Sequence, residues 1–237
     1  MKTPTLLENI STVYKRMSHA AMRAGRDPEE VKLIAVTKTV GVEQIREAMD
    51  AGLRIFGENR VQEAKAKIEE LARLSTANFR LPTMEWHLIG HLQRNKAKYA
   101  VQLFDLIHSV DSVELAREIS KHSEKIGKVQ RVLVEVKLSP EETKHGVDRR
   151  NLMPVLAEVA SMKYLLLRGL MAIPPFSGNP EDARRYFKAL RELRDAAQDC
   201  GIPLPELSMG MSGDFEVAIE EGATMVRVGT AIFGERD

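Results

Sequence analysis

Eight short apolar runs, each followed by a longer stretch, constrain this chain more than any other feature. The runs are Lys32–Val36, Arg54–Gly57, Glu85–Ile89, Leu106–Ser109, Gln130–Val136, Leu165–Met171, Glu206–Ser208 and Met225–Val228. Between them, Val42–Ala51, Val61–Leu74, Ser112–Lys125, Leu152–Ser161, Glu181–Gln198 and Phe215–Glu220 carry helical patterns, and Arg94–Gln102 a weaker one. Strands that alternate with helices pair in parallel, because parallel neighbours need a crossover. Eight such units in about 210 residues fit a closed barrel. An open doubly wound sheet is the alternative, and no G-x-G-x-x-G follows the first run to support its dinucleotide-binding form. Ahead of the first run, Leu6, Leu7, Ile10, Val13, Tyr14 and Met17 mark an amphipathic helix ending near Gly25. The expectation is an α/β chain: a single (β/α)8 TIM barrel over residues 1–237, with residues 1–25 as an extra helix packed on it. Ser75–Pro82 reads as a loop before the third run rather than a domain boundary.

Composition narrows the partners. The formal net charge is +1, so neither nucleic acid nor an anionic membrane is expected as the main partner. The longest apolar run, Tyr164–Ile173, is broken by Arg168 and falls short of the roughly 20 residues of a membrane helix. The N-terminus has no uninterrupted apolar stretch of the kind a secretory signal needs. One cysteine, Cys200, allows no intrachain disulfide and no cysteine-based zinc site. A cytoplasmic setting is expected. The histidines read as scattered, and no metal site is expected.

In barrels of this kind the chemistry sits where strands run into the following loops. The first run ends at Thr37–Lys38 and the second in FGENR, which brings Glu58, Asn59 and Arg60 to the rim. The third run, WHLIGH, holds His87 within it. After the seventh run, Ser208, Gly210, Ser212 and Gly213 form a small-residue loop; after the eighth, Gly229 and Thr230 form another. Small residues let backbone N–H groups approach a ligand, and helix N-termini add partial positive charge. Loops after the last two strands are the recurrent phosphate site of such barrels. Either loop alone reads equally as a tight turn; together they favour phosphate.

Arg227 lies between Val226 and Val228. A charge in a core strand needs a polar cavity or a partner. Lys38 alone reads as a solvated charge. With Arg227 and two phosphate loops beside it, it reads as a nucleophile, since the neutral amine of a lysine in a partly desolvated mouth can attack an aldehyde. A small phosphorylated aldehyde would engage all three features, and pyridoxal 5′-phosphate is one.

The segments IAVTKT, FGENRVQEA, WHLIGHLQRNK, GLMAIPPF, LSMGMSGDFEVAI and VRVGTAIFGER closely resemble the pyridoxal phosphate homeostasis proteins, in order from the first run to the last residues. That family looks like the isolated barrel of fold-type III enzymes such as alanine racemase. The resemblance implies a Schiff base between the cofactor and Lys38. It implies phosphate held by Ser208, Gly229 and Thr230, with Met209 and Ser212 in the same loop. Arg227 would face the pyridine nitrogen, and Asn59 and His87 would line the pocket near the ring. After the lysine the chain reads TVGVE, where relatives often carry a lysine–proline pair.

An arginine cannot accept a hydrogen bond, so it leaves the ring nitrogen unprotonated and the ring a weaker electron sink. Racemases of this type also use a tyrosine from a second domain. Here the chain ends soon after the eighth run, and Tyr14, Tyr99, Tyr164 and Tyr186 fall in helices or at the start of the sixth run. The expected role is therefore carriage and regulation of the cofactor, without turnover, by a monomer that supplies apo-enzymes. The alternatives are a small racemase or lyase using the same cofactor, and a barrel enzyme in which Lys38 acts on another phosphorylated metabolite.

Overall fold

A computed structural model describes residues 4–74, 83–139 and 145–235; the expected Ser75–Pro82 loop lies outside them. The strands are β1 (Lys32–Val36), β2 (Ile55–Glu58), β3 (Glu85–Leu88), β4 (Leu106–Val110), β5 (Gln130–Lys137), β6 (Val147–Asp148), β7 (Leu165–Met171), β8 (Glu206–Met211) and β9 (Met225–Val228). The sheet order is β4-β3-β2-β1-β9-β8-β7-β5, and pairing of β4 with β5 closes the ring. All these pairings are parallel. Each of the eight expected runs is a barrel strand, so the chain is the closed barrel and not the open sheet. The two-residue β6 is an addition, hung on the end of β5 through Val136 and Val147.

The helices are α1 (Leu6–Arg23), α2 (Val42–Asp50), α3 (Val61–Leu74), α4 (Ala97–Leu103), α5 (Val113–Lys125), α6 (Leu152–Ser161), α7 (Arg184–Asp199), α8 (Phe215–Glu220) and α9 (Thr230–Phe233). Thr5 and Glu8 form a capping box that starts α1. That helix packs on the last two: Asn9 Nδ2 donates to the Ile232 carbonyl at 3.0 Å, and Arg16 pairs with Glu216 at 2.7 Å. Among the described residues no helix is long and apolar enough to cross a membrane.

Side chains alternate between the two faces of each strand. Outward residues such as Leu33, Ala35, Phe56, Val132, Val134, Leu207, Val226 and Val228 belong to the large core shared with the helices. Inward residues Ile34, Leu106, Leu133, Met171 and Met225 form a separate apolar cluster that fills the barrel, with Ile55 against it. Above this plug, the inward positions turn polar: His87, His108, Ser208, Glu135 and Arg227 are all buried. That change from apolar to polar inside one ring locates the site.

Candidate functional site

A cavity of about 570 Å³ opens at the C-terminal ends of the strands, lined by Lys38, Asn59, Glu135, Ser212, Arg227, Gly229 and Thr230 among others. Its size lies within the usual range for small-molecule sites. Parity explains which residues reach it. Along β1 and its extension, Ile34 points in, Thr37 out and Lys38 in. Along β9, Met225 and Arg227 point in.

The turn that carries Lys38 is fixed on both sides. Thr37 is buried and donates through Oγ1 to Glu58 Oε1 at 2.7 Å. Lys67, from α3, donates to the Thr37 carbonyl at 2.6 Å, to Glu58 at 2.8 Å and to Glu63 at 2.6 Å. Glu63 also accepts from the Thr39 N–H at 2.6 Å. Thr39 has a φ of 60°, a conformation that β-branched residues rarely adopt. The network thus holds a strained residue directly after Lys38. Glu58 does not reach the rim as the sequence suggested: it is the outward residue of β2, fully buried, and burial pushes its carboxyl up against the pull of Lys67 and Thr37. Asn59, the next residue, lines the cavity. Gly90 lets the chain pass close to it, since a Cβ there would sit 2.4 Å from the Asn59 carbonyl oxygen.

The phosphate expectations divide in the same way. Strand β8 runs to Met211, three residues beyond the expected end, because Gly210 takes a φ of 91° and its register with β9 shifts between Ser208 and Met211. A glycine bulge continues the strand. Ser208 and Met209 are therefore strand residues below the mouth, and neither lines the cavity. Ser208 points into the barrel and Met209 outward into the helical core. The loop proper is Ser212–Gly213. Ser212 Oγ accepts from the N–H of Gly229 at 3.2 Å and of Ala231 at 3.3 Å. Helices α8 and α9 are only 6 and 4 residues long, so an anion at this loop would meet individual N–H groups rather than a long helix dipole.

Arg227 lines the cavity yet is 3% exposed. It donates to Ser208 Oγ at 2.6 Å and to the Ala172 carbonyl at 3.0 Å. Burial draws its guanidinium down to about 10, against the opposing pull of Glu135 and Asp214; it remains charged at neutral pH. Glu135 is a site residue that sequence reading missed. Burial, with Asp111 adding to it and Arg227 opposing, pushes its carboxyl up to about 7. It lies between Val134 and Val136, the same signal that singled out Arg227.

His87 also does not line the cavity. It sits one inward position lower on β3, 1% exposed, against the buried His108. His91, Asp111 and His145 do come together at the rim, contrary to the scattered reading. The two imidazoles stack at 3.7 Å with an angle of 11°. A ring nitrogen's lone pair lies in its ring plane, so an ion between parallel faces would lie outside both planes, and this arrangement is not a coordinating one.

Residues 9–237 match the family described as alanine racemase, N-terminal domain. The chain is 50% identical over 230 residues to the pyridoxal phosphate homeostasis protein of Aquifex aeolicus, covering 97% of each chain. Among solved structures, PipY of Synechococcus elongatus PCC7942 with PLP bound aligns at TM-score 0.81 and 40% identity, over 94% of this chain and all of PipY. Alanine racemase of Clostridium difficile 630 aligns at TM-score 0.72 and 16% identity over 57% of its length, a likeness of fold.

Proposed function

The chain belongs to the pyridoxal phosphate homeostasis protein family, and we propose that it holds pyridoxal 5′-phosphate in its barrel mouth as a Schiff base on Lys38, carrying and regulating the cofactor without turnover. The observation behind this reading is the convergence on one cavity of a lysine, a buried arginine and a serine-centred pair of backbone N–H groups. When bound, the cofactor supplies an aldehyde that joins an amine reversibly. The donor set suits that group at each end. Ser212, Gly229 and Thr230 hold the phosphate. Arg227 donates to the ring nitrogen and, having no acceptor, keeps it unprotonated and the ring a weak electron sink. Asn59 lies beside the ring. Ser208 and His87 act from behind Arg227, and Met209 packs the strand.

Among the described residues no tyrosine lines the cavity, and reversible carriage needs no second base. The protein would act as a monomer, since a closed barrel offers no sheet edge, in the cytoplasm, passing the cofactor to apo-enzymes that depend on it. Reductive trapping tests this reading. After incubation with pyridoxal 5′-phosphate and borohydride, the pyridoxyl label should sit on the peptide containing Lys38 and vanish in Lys38→Ala. A label elsewhere, or none, overturns it.

Glu135 supports a second reading, a racemase or lyase on the same cofactor. A cavity carboxyl held near 7 can take and return protons at neutral pH. Turnover of an amino acid that is lost in both Lys38→Ala and Glu135→Gln would favour it over carriage.

A further inference from the structure

A single line of side chains crosses the barrel interior from the cavity to the opposite end. Arg227 Nη1 donates to Ser208 Oγ at 2.6 Å. Ser208 Oγ lies 2.9 Å from His108 Nδ1, His108 Nε2 lies 3.1 Å from His87 Nδ1, and His87 Nε2 lies 3.3 Å from Glu85 Oε2. Arg131 closes the far end on Glu85 at 2.8 Å. Ser208, His87 and His108 are at most 1% exposed, whereas the Glu85 side chain is 44% exposed.

The ends fix the direction of every link. A carboxylate only accepts, and a guanidinium only donates. Glu85 therefore requires the proton of neutral His87 on Nε2, which leaves Nδ1 as an acceptor. His108 must then donate from Nε2 and accept at Nδ1, so Ser208 donates its hydroxyl proton to His108 while accepting from Arg227. Both histidines are held neutral, because burial lowers them: for His87 against Glu85, and for His108 with His87, Arg227 and Arg131 adding to the effect. Asp105 and Arg131 also face His87, with opposite signs, and Glu135 and Asp214 face Arg227. Glu85 is held ionised, its carboxyl lowered to about 2 by the hydrogen bonds from His87 and Arg131.

We propose that Ser208, His108, His87 and Glu85 are positioning residues: they form a one-way hydrogen-bond chain that anchors Arg227 and sets how strongly it donates into the cavity. The step to the cofactor's ring nitrogen rests on the function proposed above. Each link polarises the next, so the Glu85 charge on one face of the barrel strengthens the grip of Ser208 on Arg227 at the other. That grip holds one arm of the guanidinium while the Ala172 carbonyl holds the other, which leaves the remaining N–H groups for the cavity. The chain also links the buried cation to the Glu85 charge without a direct contact between them.

Nitrogen-resolved NMR of the full chain without added cofactor tests the chain directly. His87 and His108 should both be neutral with the proton on Nε2 across the neutral range. A proton on Nδ1 of either, or a charged ring, overturns the proposal. Glu85→Gln, at a half-buried position outside the cavity, should shift the guanidinium resonances of Arg227 in the cofactor-free chain. It should also move the absorbance of the protein loaded with pyridoxal 5′-phosphate, while the Lys38 label persists. Glu118→Gln, on an outer helix, should change neither. Unmoved Arg227 resonances in Glu85→Gln overturn the proposal, even with the tautomers as expected. Loss of the Lys38 label in the unaltered chain overturns the cofactor reading instead, since tautomers and guanidinium are read without it.

Discussion

The ammonium of Lys67 lies 2.6 Å from the carbonyl oxygen of Thr37, the residue immediately before Lys38. Through Glu63 it also reaches the N–H of Thr39, immediately after. One buried cation on a helix therefore fixes both flanks of the lysine that faces the cavity.

Lys67→Met should be strongly destabilising. It leaves the fully buried Glu58 carboxyl without its cation, a change that costs about 3–5 kcal/mol. It should also slow borohydride-trapped labelling of Lys38. Urea unfolding measures the first effect and labelling rate the second. Glu58→Gln added to Lys67→Met should recover part of the stability but not the labelling rate.

Ser212→Ala and Ser208→Ala should part company. Ser212 organises the N–H groups at the mouth, so its loss should weaken binding of pyridoxal 5′-phosphate about five- to tenfold, the worth of roughly one hydrogen bond. Binding of pyridoxal, which lacks the phosphate, should be unaffected. Ser208 touches Arg227 instead, and its loss should alter the spectrum of the bound cofactor without changing that phosphate preference. Titration with both ligands checks the pair.

Glu135 gives stability a pH dependence of known sign. Its folded carboxyl is raised from 4.5 to about 7. A raised value means the folded state binds the proton more tightly, so the stabilisation is complete below 4.5 and lost as pH rises through about 7. The shift corresponds to about 3 kcal/mol. Denaturation midpoints should fall between pH 5 and pH 8, and Glu135→Gln should remove most of that fall.

Gly210→Ala should shorten β8. An added Cβ would lie 2.5 Å from the Ala218 side chain, at a φ of 91°. The cost should be about 1–3 kcal/mol, and Ser212 should lose its alignment with Gly229. Reduced cofactor affinity together with a lower unfolding midpoint is the expected result.

The barrel was legible because eight short runs rich in apolar residues alternate with longer stretches, most of them of helical periodicity, and only the ends of the runs moved. Boundaries failed where a glycine did something other than turn: Gly210 reads as a loop residue but bulges within the strand. The site was legible where a charge interrupted a core strand, as Arg227 does. Glu135 carried the same mark between two valines and was passed over. Ending the seventh run at Ser208 hid the alternation that separates inward Ser208 from outward Met209. The same alternation separates outward Glu58 from Asn59, and aligns His87 with His108. What no single segment could reveal is the pairing of those histidines, since β3 and β4 bring them together only when the ring is assembled.

Strand β9 pairs with β1, setting Arg227 in register with Ile34, and with β8 on its other side. Among the described barrel strands, β1 comes first along the chain and β9 last. Such long-range pairing forms slowly and late. Lys38 can be synthesised, and its strand can collapse against β2, long before Arg227, Gly229 and Thr230 exist. The site proposed for the cofactor is therefore completed only when β9 joins β1, and a chain without β9 in place would offer an amine without an anchor for phosphate. Occupancy by the cofactor would then report that the ring has closed.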